Sequence, residues 1–194
     1  MWETILQLDT DVFRWINGHY CVALDWLMWS VSQRWCWAIV IVFVLIPFII
    51  DKQFAKQWWI ILLGVAGCFL LADQGSVHLF KETVCRLRPC HALDDVRMFR
   101  TNCGGQYGFV SSHAANAFAI VTFLWMLCGK KRGRWWIRIA LLVWALLTCY
   151  SRVYLGKHYP GDLLCGALFG VVVGLLVWGV VNFFVKKTKK VETK

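Results

Sequence analysis

Three short clusters hold most of the residues in this 194-residue chain that could do chemistry. Lys81 and Arg88 frame the first, which ends on Pro89. Ser111, Ser112 and His113 form the second, and Ser151, Arg152, His158 and Asp162 the third. Each suits a phosphate. Arginine binds phosphate oxygens through two parallel N–H donors, and lysine adds a compact charge. The second cluster stands where an apolar run begins, so the free N–H groups and positive end of a helix would meet an anion there. Asp162 follows His158 by one helical turn, with Pro160 placed to open that helix. A carboxylate so spaced can orient an imidazole and raise its basicity, readying it to attack phosphorus. His113 is then left to protonate the leaving oxygen.

Taken singly, these residues have plainer readings. Lys81, Arg88 and Arg152 read as interfacial anchors that reach toward headgroups. His113 reads as a cap, and His158 with Asp162 as a structural pair or as two metal ligands. Their convergence on one side of a membrane argues against all of these at once, and it depends on the elements that carry them.

Those elements follow from composition. Hydrophobic residues make up 59% of the chain and charged residues only 16%, with 13 Trp and 13 Phe and a mean hydropathy of +0.57. A soluble domain is about half apolar and about a quarter charged. Disorder, collagen-like repeats and a polar secreted scaffold are excluded. Apolar runs over 35–50, 57–80, 110–128, 135–154 and 161–185 predict an all-α, polytopic membrane helical bundle of five to six spans, forming one domain over 1–194. Met1–Gly18 carries Glu3, Asp9 and Asp11 and is no secretory signal. Its apolar spacing predicts an amphipathic helix lying in the interface. Leu24–Ser32 is either similar or an extension of the next span.

The net charge of +10 divides by location. Lys52, Lys56, Lys130, Lys131, Arg132, Arg134, Arg138, Lys186, Lys187, Lys189, Lys190 and Lys194 fall on one side of a five-span chain, twelve of its 21 basic residues. The positive-inside rule makes that side cytoplasmic, which accounts for the charge without nucleic acid. The long Lys81–Gly108 loop and all three clusters then face outward. The nine cysteines include no C-x-x-C, so a zinc or thioredoxin-like site has no support. Asp73 and His78 read as structural residues that bond neighbouring helices, and Arg86 and His91 as flanking residues able to touch a headgroup. Gly161, Gly166, Gly170, Gly174 and Gly179 predict close helix packing in the last span.

The clusters together resemble the three-part signature of the type-2 phosphatidic acid phosphatase superfamily, which also includes the vanadium haloperoxidases. K-x6-R-P matches at Lys81–Pro89 and S-R-x5-H-x3-D at Ser151–Asp162. P-S-G-H is retained only at Ser111 and His113, with Val110 and Ser112 replacing Pro and Gly. The resemblance implies that His158 attacks phosphorus to form a phosphohistidine, that Asp162 orients it and that His113 protonates the leaving group. Lys81, Arg88, Ser111, Arg152 and the backbone at Ser112 would hold the phosphoryl oxygens. A cationic pocket of this kind needs no metal or other cofactor. Ser112 could offer its hydroxyl where glycine would offer room. Cys90 and Cys103 could form a disulfide in the outward loop, with Cys85 a competing partner.

The expected function is metal-independent hydrolysis of a lipid phosphomonoester or diphosphate at the periplasmic face of a bacterial inner membrane. Undecaprenyl diphosphate is the first choice, with lipid A, phosphatidylglycerophosphate and phosphatidate as alternatives. Membrane lipids are the expected partners; oligomeric state is not encoded legibly. A haloperoxidase would be soluble, a non-catalytic lipid-binding protein would need neither His113 nor the His158–Asp162 pair, and a transporter would place charge along a midplane path. For sidedness, an impermeant thiol reagent applied from outside should label single cysteines introduced within Lys81–Gly108 and spare those introduced within Gly129–Arg138. Labelling confined to cysteines introduced in Gly129–Arg138 would reverse the orientation.

Overall fold

In the computed structural model, residues 2–50, 58–128 and 135–192 are described, with only the backbone defined at 2, 34, 44, 45, 47–50 and 186–192. Helix formation follows the apolar runs. α1 (Trp2–Gly18) and α2 (Val22–Val31) precede α3 (Arg34–Ile50) and α4 (Trp58–Gly75). A π-helical turn, Ser76–Lys81, continues α4 into the short α5 (Glu82–Val84). The long loop contains α6 (Pro89–Ala92), and α7 (Ser112–Cys128), α8 (Trp135–Tyr154) and α9 (Pro160–Glu192) complete the bundle. Among the described residues the only β-type pairing is an isolated antiparallel bridge between Leu87 and Tyr107.

Among the described residues, three helical segments are long and apolar enough to cross a membrane: Trp58–Val84, Trp135–Tyr154 and Pro160–Val185. α7 is apolar but has 17 residues. The outer surface is greasy, with Leu63, Leu70, Leu164, Leu168, Leu176 and Phe183 all exposed. In water such a surface would aggregate; in hydrocarbon it is solvated. The chain is an integral membrane protein. Leu24–Ser32 proves to be a separate helix, because the chain leaves α2 at Ser32 before α3 begins. Of the twelve cations assigned to one face, Lys52, Lys56, Lys130, Lys131, Arg132, Arg134 and Lys194 lie outside the described residues.

α7 is the axis of the bundle. Ala114, Ala115, Ala117, Ala119 and Phe123 are buried on all sides by α4, α8 and α9. Small residues allow backbones to approach closely where no hydrophobic force separates helix from lipid. On α9, Gly166, Gly170 and Gly174 face the α7 backbone at Ser111, Ala115 and Ala119. Gly161 faces Asp9 instead, and Gly179 faces open space. The expectation of close packing therefore holds for the central three glycines only.

α1 has unusual sidedness. Phe13 and Asn17 are buried, while Ile5, Leu8 and Trp15 point outward. Phe13 packs with Ala114, Val153, Tyr159 and Leu163, which seats α1 against the ends of α7, α8 and α9. α2 is seated by Met28 on Tyr154 and Leu155. Asp25 receives both arms of Arg97 at 2.8 and 2.6 Å and the Tyr154 hydroxyl at 2.7 Å, tying the long loop to α2 and α8.

Replacing Gly170 by Ala should lower stability by about 1–3 kcal/mol, since the new methyl meets the Ala115 carbonyl with no room to move. Gly179→Ala, in open space on the same helix, should be neutral or stabilising by up to about 1 kcal/mol. Thermal unfolding in detergent distinguishes the two.

Candidate active site

The ends of four helical elements meet at one end of the bundle. The π turn brings Lys81, α7 begins with Ser112 and His113, α8 carries Arg152 in its last turn, and α9 opens just after His158. An extra residue in a helical turn rotates everything beyond it, and such turns recur at functional sites. Here the rotation lets Lys81 Nζ donate to Ser112 Oγ at 2.6 Å. Ser76, at the start of the same turn, donates its hydroxyl proton to the Asp73 carbonyl at 2.7 Å. Its 2.6 Å contact with Ser112 must then use the Ser112 proton. Ser112 thus holds Lys81 rather than offering its hydroxyl to a phosphate, as the sequence suggested; its backbone N–H remains at the helix start.

Arg88 is positioned by extended backbone. The chain turns at Cys85 (φ 52°), then pairs with the far end of the loop through Arg88 N–Gln106 O at 3.1 Å and Gly108 N–Arg86 O at 2.8 Å. A disulfide between Cys90 and Cys103 closes the loop behind this pairing, and Cys85 stays free. Alternate residues of extended chain share a face, so Arg86 and Arg88 both turn toward the start of α9. Gly108 lies between Arg88 and Asp162, where a Cβ would come within 3.1 Å of Arg88 Cγ and 3.2 Å of Asp162 Oδ2.

Lys81, Arg88, Ser112, His113, Arg152 and His158 line one cavity of about 490 Å³. Arg152 and His158 are 4% and 1% exposed. Buried polar groups are nearly always paired. Yet Arg152 Nε, His158 Nδ1 and the nearby buried Ser111 hydroxyl have no hydrogen-bond partner. Asp162 Oδ2 lies 3.4 Å from His158 Nδ1, an ion-pair distance without hydrogen-bond alignment, and accepts from Tyr159 N at 3.1 Å. With Nδ1 turned toward Asp162, Nε2 is the nitrogen left for chemistry. Burial, then the charges of Arg88, Arg152 and Lys81, hold the His158 imidazolium well below its ordinary pKa of 6.5. The ring is therefore neutral at pH 7, with a free lone pair. Lys157 is pushed down to about 8 by burial and by Arg152 and Arg88. Lys81, Arg88, Arg152 and Lys157 outnumber the nearby carboxylates, Asp73 and Asp162.

Other residues part from expectation. Asp73, read as structural, lines the cavity with the apolar side chains of Trp37, Ile41 and Phe69. His78 is exposed and pairs with Glu82 at 3.0 Å rather than with another helix. His91 is exposed, and neither it nor Arg86 lines the cavity. Arg86 instead donates to Asp162 Oδ1 at 2.9 Å and to Asp9 Oδ2 at 2.7 Å. Asn116, one turn into α7, lines the cavity with its amide oxygen unpartnered and was missed by sequence reasoning. Its only signal was a polar side chain inside an alanine-rich run. Among the described residues no three His, Cys, Asp or Glu side chains converge as a metal-ligand set.

The crowded cations should bind inorganic phosphate. Calorimetric titration of the protein in detergent should show binding that Arg152→Ala or Arg88→Ala weakens by roughly tenfold or more, the loss of a charge-assisted hydrogen bond.

A family model of the PAP2 superfamily matches residues 57–186. A lipid A 4'-phosphatase of Bacteroides thetaiotaomicron is 32% identical over 189 residues, covering 94% of this chain and 80% of that protein. Undecaprenyl-diphosphatase BcrC of Bacillus subtilis is 25% identical over 179 residues, covering 87% and 82%. The crystal structure of a PAP2 type phosphatidylglycerolphosphate phosphatase from Bacillus subtilis shares the fold, with a TM-score of 0.69 at 22% identity over 91% of this chain and 86% of that one. The chain belongs to the PAP2 superfamily and is a hydrolase of phosphoric monoesters.

Proposed function

We propose that the protein hydrolyses a phosphate monoester on a sugar-headed membrane lipid of the lipid A type, releasing phosphate. The observation that carries the reading is the convergence of Lys81, Arg88, Arg152, His113 and His158 on one cavity that is apolar along its other side. The cationic end suits a phosphoryl group, and Trp37, Ile41 and Phe69 suit the lipid that bears it. In this reading His158 Nε2 attacks phosphorus, the ester P–O bond breaks, and His113 gives its proton to the leaving oxygen. Water then attacks phosphorus while neutral His113 takes its proton, the P–N bond breaks, and phosphate leaves with His158 neutral and His113 protonated again. Asp162 stabilises the positive charge on His158 during each step. Lys81, Arg88, Arg152, Ser111 and the Ser112 N–H bind the phosphoryl oxygens, a role in which fixed charge does most of the catalytic work.

Two observations bear on the substrate. The 32% identity with a lipid A 4'-phosphatase extends over nearly the whole chain, against 25% for an undecaprenyl-diphosphatase. Asp73 also favours a monoester, because its carboxylate in the cavity would repel a second phosphate and accept hydrogen bonds from sugar hydroxyls. Undecaprenyl diphosphate is the second reading, favoured by Lys157 as a further cation beside Arg152 and Arg88. The site faces the periplasm of a bacterial inner membrane in this proposal, and the helices form a five-span domain with α1 in the interface.

Phosphate release from lipid A, undecaprenyl diphosphate, phosphatidylglycerophosphate and phosphatidate by the detergent-purified protein, in excess EDTA, tests the proposal. Lipid A should be turned over fastest and His158→Ala should abolish turnover. No turnover of any lipid, or full activity in His158→Ala, overturns it. Because His158 must be neutral to attack and His113 protonated to release the leaving group, kcat/KM should fall on both sides of an optimum. The acid limb, set by His158, should lie below the ordinary imidazole value of 6.5.

A further inference from the structure

Asp9, on α1, lies outside the cavity and outside all three motifs, yet both of its carboxylate oxygens are committed near the nucleophile. Oδ1 accepts from Gly161 N at 2.7 Å, in the first turn of α9. Oδ2 accepts from Arg86 at 2.7 Å. The other arm of Arg86 donates to Asp162 Oδ1 at 2.9 Å, and Asp162 Oδ2 is the oxygen facing His158 Nδ1. The guanidinium is fixed in plane over the Tyr159 ring, 4.1 Å from its centroid, and Phe13 of α1 meets the same ring edge-on. Two carboxylates thus share one guanidinium, and the shared group reaches only one oxygen of Asp162. Arginine prefers to close both arms on a single carboxylate. What prevents it here is Asp9.

We propose that Asp9 is a positioning residue for catalysis: through Arg86 it holds Asp162 in a one-armed contact, leaving Oδ2 for His158. Without Asp9, Arg86 has no second acceptor and closes on both oxygens of Asp162. The carboxylate is then drawn off His158 and its charge is more fully neutralised. His158 is otherwise faced by Arg88 from the loop, Arg152 from α8, Lys81 from the π turn and His113 from α7. Against them stand the Gly108 backbone, which hydrogen-bonds His158, and the Asp162 carboxylate at 3.4 Å, so weakening the hold of Asp162 lowers the affinity of His158 for a proton. Removing Arg86 has the opposite effect, since it frees Asp162 to act on His158 undivided.

The test uses full-length protein, selectively 15N-histidine labelled in detergent, with His158 identified by its loss in His158→Asn. Nitrogen shifts against pH read the tautomer and protonation of His158 without any lipid, so this arm stands whether or not a substrate has been found. Asp9→Asn should move the His158 titration to lower pH and Arg86→Gln to higher pH. In turnover of the preferred lipid, Asp9→Asn should lower kcat by about tenfold to a hundredfold, with KM little changed because Asp9 does not touch the cavity. Asp9→Glu should recover most of the loss. Arg14→Gln is the control: it breaks the 3.0 Å tether from α1 to Asp95, and should leave His158 where it was. Thermal unfolding shows which variants remain folded. An unmoved His158 in folded Asp9→Asn overturns the proposal, as does an equal shift in Arg14→Gln. If Asp9→Asn does not fold, Arg86→Gln decides: an unmoved or lowered titration there overturns it.

Discussion

Arg88, Arg152 and Lys81 are held together where little water reaches to screen their repulsion. Like charges so confined drive one another apart unless an anion sits among them or covalent and packing forces exceed the repulsion. Each cation is accordingly fixed by a different means. The π turn and the Ser76–Ser112 pair hold Lys81, the paired ends of a disulfide-closed loop hold Arg88, and the packed end of α8 holds Arg152. The unpartnered Arg152 Nε belongs to the same cluster and leaves a buried donor uncommitted. With burial, the cluster also keeps His158 uncharged, so in the proposed reaction one set of charges would both bind the phosphate and prepare the group that attacks it.

Fold and site differ in how far they could be read from sequence. The helices were legible because apolar runs of this length leave the backbone no other way to satisfy its hydrogen bonds in hydrocarbon. Whether Leu24–Ser32 stood apart or extended the next span stayed open, since an apolar stretch on both sides conceals a short turn, and nothing in the sequence marked the π turn at Ser76–Lys81. The three clusters were legible because their spacing is itself the signal. Lys81, Arg88, His113, Arg152 and His158 do surround one cavity.

What escaped were contacts between residues distant in the chain. Nothing local to Asp9 announces Arg86, 77 positions on. In an interfacial helix an aspartate reads as part of the wet face, and only the assembled bundle shows that face turned inward. Ser112 was misread for a related reason: its hydroxyl proton is assigned by what Ser76 has already given to Asp73, an accounting over two helices. Arg86 sits two residues from a motif arginine on the same face, yet their targets differ, one a carboxylate and one the cavity.

α7 is at once the axis of the bundle and the carrier of Ser112 and His113 in its first turn. Ala115 and Ala119, further along it, press against Gly170 and Gly174 of α9. A side chain that widens this seam therefore moves the first turn of α7 as well as loosening the packing. Stability and site geometry share one stretch of backbone, so a change to either reaches the other.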